Sequence, residues 1–207
     1  MSNTSQTSAL PAVLRSHHLS GGPSGETIIH DLSFAWCPGL HWVCGDEGSG
    51  KTSLLRLLAG DLPALHGSVD RPSGGVFWAD LKGSEHDQTT VQACWDQLKA
   101  LHPNWQHALE QDLIEALDME RHRHKPLFML STGSRRKVML VAALASGASM
   151  TLLDQPFVSL DQVSVRVIKD FLAEAAAHTS RAWIVADYEV PQDLTPNSVL
   201  DLSPLEP

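Results

Sequence analysis

What the sequence lacks narrows its class before any motif is read. No stretch approaches ~18 consecutive apolar residues. The opening MSNTSQTSALPAV has neither the basic start nor the apolar run of a secretory signal. A chain that is neither inserted in a membrane nor secreted by that route is expected. Cysteine is scarce: Cys37, Cys44 and Cys94 are odd in number and show no C-x-x-C spacing. Reduced thiols, buried as small hydrophobes in a cytosolic protein, are the expectation. Positive charge is in deficit, with 15 Lys and Arg against 24 Asp and Glu and a net charge of −9. Wrapping nucleic acid, or lying on an anionic membrane by charge alone, is therefore excluded as a primary role. At 207 residues the chain can hold one good-sized α/β core, with room for a small subdomain.

What is present centres on Leu40 to Gly60, LHWVCGDEGSGKTSLLRLLAG. Leu40 to Cys44 reads as a buried strand and Lys51 onward as a helix, joined by a loop with Gly45, Gly48 and Gly50. The match to G-x-x-x-x-G-K-S/T in a strand–loop–helix frame is that of a phosphate-binding loop. Glycines let backbone N–H groups curl around phosphate oxygens, and the helix directs its positive end at the same anion. Gly45, Asp46, Glu47, Gly48, Ser49, Gly50, Lys51, Thr52 and Ser53 are the expected phosphate-binding set. Lys51 would reach the β- and γ-phosphates, and the Thr52 hydroxyl would ligate Mg²⁺.

The remaining chain reads around this loop. Residues 1–13 are polar and expected to be disordered, with residues 14–207 as one nucleotide-binding unit. Strands are expected at Leu14 to Leu19 and Glu26 to Phe34, with a loop from Leu19 to Gly25 between them. Short strands are expected near Gly67 to Asp70 and Gly75 to Ala79. From about Thr89 to Ser146 the spacing turns helical, giving an inserted helical subdomain. His122 and His124 read as a solvated loop rather than a metal site, since no carboxylate or Cys completes a ligand set. Trp78, Trp95 and Trp105 read as packing residues. Leu130 to Ser134, LSTGS, is a small-residue loop before the helical run RRKVMLVAALA. Met150 to Leu153 is a buried strand ending in Asp154, where a carboxylate can hold Mg²⁺. Ala182 to Ala186 is another strand, with Asp187 at its end.

In this order, GDEGSGKT, LSTGS with its RRKV helix, MTLLDQP and the SLD turn resemble the nucleotide-binding subunit of an ABC transporter. The likeness runs from about Leu14 to Leu202. It implies an α/β fold, a P-loop NTPase of ABC-cassette type: a mostly parallel sheet, an N-terminal antiparallel β portion and the inserted helical subdomain. It implies ATP and Mg²⁺ as cofactors, bound between two cassettes facing head to tail in a homo- or heterodimer. Lys51, Thr52 and Asp154 of one cassette would hold the triphosphate and metal. Ser131 and Gly133 of the other would close on the γ-phosphate, and Asp161 would lie in the communicating turn. Asp80 matches the position that senses Mg²⁺ and contacts the membrane-spanning partner subunit. The place would be cytoplasmic, at the inner face of the membrane through that partner. A subgroup of compact cassettes similar to haem exporters shares the RRKV-type helix.

Several positions depart from the family pattern. Gln155 stands where a glutamate usually polarises the attacking water, and an amide cannot accept a proton as a carboxylate does. Asp187, followed by Tyr188, stands where a histidine contacts the γ-phosphate. The usual glutamine near Asp80 is missing, and His17 and His18 replace a tyrosine that would stack on adenine. Thr132 and Ser134 replace a glycine and a glutamine. These changes spare phosphate binding and alter catalysis, so Lys51, Gln155 and Asp187 form an expected catalytic set with weakened hydrolysis. A soluble ATP-binding clamp without a membrane partner is the alternative. A P-loop GTPase is disfavoured by the lack of a guanine-reading N-K-x-D.

Overall fold

The computed structural model describes residues 11–80, 83 and 86–203. The expected disordered tail therefore falls almost wholly outside the described residues. The order is β1 (Leu14–Gly21), β2 (Ile29–Trp36), β3 (Gly39–Cys44), α1 (Lys51–Ala59), β4 (His66–Asp70) and β5 (Val76–Phe77). It continues with α2 (Val91–Leu101), α3 (His107–Ala116), α4 (Thr132–Ala145), β6 (Met150–Asp154), α5 (Gln162–Ala175), β7 (Ala182–Ala186) and β8 (Ser198–Asp201). The antiparallel portion is a three-stranded sheet, β2-β1-β4, and the parallel sheet runs β5-β6-β7-β3-β8. The mixed α/β layers, a mostly parallel sheet beside an antiparallel portion, are those expected.

The period-2 alternation of the central strands divides the core into two. Leu40, Trp42, Leu153, Trp183 and Val185 face one way, into a cluster shared with the buried sides of α2 to α5. Val43, Leu152, Ala182 and Ile184 face the other, against Leu54, Leu55, Leu57 and Leu58 of α1 and Leu14, Leu19 and Trp36 of the antiparallel sheet. Helices on both faces explain why these strands are apolar throughout rather than alternating.

Helix α1 stops because Gly60 adopts φ 85°, returning its N–H to Arg56 O and Leu57 O. Arg71 then donates to the Leu57 and Leu58 carbonyls, both at 2.8 Å. Trp95 is fully buried and ties α2 to α4 through Nε1 to Val138 O at 2.9 Å. Trp105 is also buried, and Trp78 packs partly buried against the α1 core, as packing residues should. The three cysteines are free thiols.

Some local expectations shift. The first strand runs on to Gly21, absorbing part of the expected loop, and His17 and His18 lie within it. His17 pairs with Asp70 at 2.9 Å and His18 with Asp31 at 2.7 Å. LSTGS is not a free loop: Ser131 caps α4 by accepting Ser134 N–H at 3.1 Å, and Thr132 already begins the helix. Helix α5 and strand β8 carry no sequence-based expectation above. Among the described residues no helix is long and apolar enough to cross a membrane.

Candidate functional site

The site forms where the parallel strands end. Carboxyl ends of β6, β3 and β7 converge, and in sheets of this kind ligands bind outside those ends. After Cys44 the chain turns through Gly45, φ 149°, Gly48, φ 80°, and Gly50, φ 98°. A Cβ on Gly45 would stand 2.4 Å from Ser49 Oγ, and one on Gly50 2.7 Å from Ile28. Both positions therefore demand glycine, for backbone angle and for space. Asp46, Glu47 and Gly48 are exposed along the loop crest, while Ser49 Oγ is buried with no hydrogen-bond partner among the described residues.

Lys51 is only 6% exposed, and its ammonium lies within the loop, donating to Gly45 O at 2.5 Å and Asp46 O at 2.8 Å. Tyr188 covers it, with the ammonium 4.8 Å from the ring centroid. One residue on, Thr52 Oγ1 donates to Asp154 Oδ2 at 2.9 Å, which joins the start of α1 to the tip of β6. Ser53 follows on the first turn, partly buried. A hydroxyl and a carboxylate side by side are hard oxygen donors of the kind Mg²⁺ selects. The glycine cradle, the buried lysine and this donor pair together fit a Mg-bound phosphate chain.

Asp187 begins just past β7, the strand between β6 and β3, so it lies between Asp154 and the loop. Its N–H goes to Val43 O at 3.1 Å, and its Oδ1 accepts Tyr188 N–H at 2.9 Å. Burial pushes its carboxyl above the usual range and the charge of Asp154 adds to this; the Tyr188 N–H and Lys51 oppose it. Gln155 holds φ 46°, a left-handed conformation that few non-glycine residues adopt, with its N–H on Ala186 O at 2.8 Å.

Asp80 is exposed but lines a cavity of about 280 Å³ together with Asp154, Thr132 and Arg136. Ser131 and Thr132 face solvent at the N-terminus of α4. Gly133 instead faces the same chain: a Cβ there would stand 2.2 Å from Ser159 O. Asp161 caps α5 by accepting Ser164 N–H at 2.8 Å and takes Lys137 Nζ at 2.7 Å. The Lys137 hydrogen bond and this capping bond hold its carboxyl well below the ordinary carboxylate range.

Sequence reasoning missed Arg136. Its Nη1 donates to the main-chain carbonyls of Asp154, at 3.2 Å, and of Gln155. Because its partners are backbone atoms, no side-chain pattern announces it. The available signal was its place three residues after Gly133, on the same face of α4.

The ABC transporter family model matches residues 29–158. The chain is 30% identical over 182 residues to a cytochrome c biogenesis ATP-binding export protein, CcmA, of Chelativorans sp. (strain BNC1), covering 83% of this chain and 88% of that one. It is 24% identical over 189 residues to a taurine import ATP-binding protein, TauB, of Escherichia coli O6:H1, covering 86% and 74%. A solved chain from Pyrococcus furiosus, described as an ABC transporter ATP-binding protein, superposes with a TM-score of 0.72 at 21% identity, covering 91% and 96%.

Proposed function

Because this chain belongs to the ABC transporter family, we propose that it binds Mg-ATP as the nucleotide-binding subunit of a membrane transporter and hydrolyses it slowly. The observation that carries the reading is the Thr52–Asp154 hydrogen bond beside a buried Lys51 in a glycine loop. On binding, the ammonium would exchange its two loop carbonyls for phosphate oxygens, and the loop and α1 N–H groups would take the rest. Thr52 and Asp154 would hold Mg²⁺, with Asp80 near them; the ion supplies charge neutralisation for the phosphates. Tyr188 covers Lys51, so it must move or turn its hydroxyl toward the entering phosphate.

The weak step is water activation. Gln155 can orient a water but not deprotonate it, and loss of a general base commonly costs ~10²- to 10⁴-fold. Asp187 would stand beside the phosphate; burial raises its carboxyl above the ordinary value, while the Tyr188 N–H, Lys51 and Arg136 act the other way. The exposed N-terminus of α4, with Ser131 and Thr132, suits contact with the nucleotide of a second cassette, in a homo- or heterodimer. Relatives named for export and for import both resemble the chain. Substrate and direction are accordingly assigned to the membrane subunit.

The test is steady-state phosphate release by wild type, Gln155→Glu and Lys51→Ala, with ATP affinity measured in Mg²⁺. The reading expects micromolar-class binding lost in Lys51→Ala, slow wild-type turnover, and a gain in Gln155→Glu. Absence of ATP binding by wild type sinks it. Fast wild-type turnover leaves the transporter reading but removes the weakened-hydrolysis part.

A further inference from the structure

The first turn of α4 presents Gly133, Arg136 and Lys137 at i, i+3 and i+4, one face of the helix. All three meet the segment that follows β6. Gly133 approaches Ser159 O too closely for any side chain, and Lys137 bonds Asp161 at 2.7 Å. Between them, Arg136 holds the carbonyls of Asp154 and Gln155. Gln155 N–H is spoken for by Ala186 O. Both main-chain groups of this left-handed residue are thus tied, the N–H by a neighbouring strand and the carbonyl by Arg136 together with a longer turn bond from Val158 N–H at 3.4 Å. Such a conformation persists only where the surroundings over-determine it.

We propose that Arg136 is a positioning residue: through the Gln155 carbonyl it fixes the backbone that aims the Gln155 amide, and makes the start of α4 and residues 154–161 move as one body. This rests on the role given to Gln155 under Proposed function. A planar guanidinium suits the task, because a single nitrogen lies within reach of two carbonyls while the fork stays rigid. Arg136 Nε is buried with no partner among the described residues. A side chain selected for packing alone would avoid that unmet donor. Burial lowers the pKa of the guanidinium, and the negative charges of Asp154, Asp187 and Asp80 oppose that in part. The consequence is that movement of the helical layer would be transmitted to the water-orienting residue without a contact to nucleotide.

The experiment combines Arg136→Met, Arg136→Gln and Arg136→Lys, in wild type and in Gln155→Glu. It reads phosphate release against ATP concentration, and amide hydrogen exchange across residues 154–161. Expected are faster exchange in that segment and a kcat about ten- to a hundred-fold lower for Met and Gln, the scale on which a misplacement of ~1 Å acts. KM for ATP should stay within about twofold, since phosphate contacts are untouched. Arg136→Lys should recover part of kcat. Unchanged exchange overturns the proposal, and so does faster exchange with unaltered kcat. A kcat loss matched by an equal loss of ATP affinity does the same, because it indicates general damage. If Arg136→Met fails to fold, Arg136→Gln and Arg136→Lys decide. If neither wild type nor Gln155→Glu exceeds Lys51→Ala, the hydrolysis reading fails and this inference with it; turnover that ignores Arg136 overturns the inference alone.

Discussion

Replacing Gly133 by alanine sets two effects of opposite sign against each other. Alanine is a better helix former than glycine by ~1 kcal/mol, and Gly133 has ordinary helical backbone within α4, so propensity alone would make the variant more stable. Against this, the new Cβ would lie 2.2 Å from Ser159 O, a backbone atom on a residue already at φ 65°. Neither side is a flexible side chain that can swing away, so the overlap belongs at the upper end of the overpacking range, ~3 kcal/mol. The net is a loss of ~2 kcal/mol, or a Tm lower by about 4–8 °C for a chain of this size. Thermal and urea denaturation in the absence of nucleotide measure it directly. A Tm equal to or above wild type would refute the reasoning, leaving Gly133 a role only toward a nucleotide held by another cassette.

Thr52→Val keeps the shape of the side chain but removes the hydroxyl that bonds Asp154 at 2.9 Å. ATP affinity measured by titration should fall about tenfold or more with Mg²⁺, a loss of ~1.4 kcal/mol, and change little with EDTA, because the hydroxyl would serve the metal rather than the phosphates. Buried His41 donates from Nε2 to Cys37 O at 2.6 Å, and its Nδ1 lies 2.7 Å from Ser198 Oγ, whose hydroxyl can donate to the neutral ring. Burial lowers its pKa below the usual value. The native state then binds fewer protons than the unfolded chain, so this contribution is complete above about pH 6.5 and declines as pH falls below it. Tm measured from pH 7.5 to 5 should drop less steeply in His41→Asn than in wild type.

The phosphate loop, α1 and the buried strands were legible because each rests on local chemistry. Glycines mark positive φ at Gly48 and Gly50, leucines at helical spacing mark α1, and unbroken apolar runs mark β6 and β7. Helix α5 is not legible from its N-cap Asp161 alone, because a Ser-Leu-Asp turn reads equally as a loop motif and as a helix start. Strand β8 is four residues long and half exposed at the sheet edge, too short for its pattern to stand out. The contacts of Arg136 and Gly133 were hidden for a different reason. Their partners are carbonyl oxygens, which every residue carries, so only the folded path of the chain reveals which ones they meet.

The strand order carries a consequence for how the protein is made. The phosphate loop leaves the ribosome well before its neighbours: β3, which bears it, pairs on one side with β7 and on the other with β8, so that Val43 meets Ala186 and Leu200. At ~5–20 residues per second, synthesis leaves β3 waiting on the order of ten seconds for either neighbour. During that interval its apolar edges are open, Asp154 arrives only with β6 and Asp187 only after β7. A chain cut short before β7 would carry a complete loop sequence without the strand that aligns it with Asp154. Nucleotide binding would therefore report that β7 and β8 have been made, and ATP in the cell would select chains that carry them over fragments that lack them.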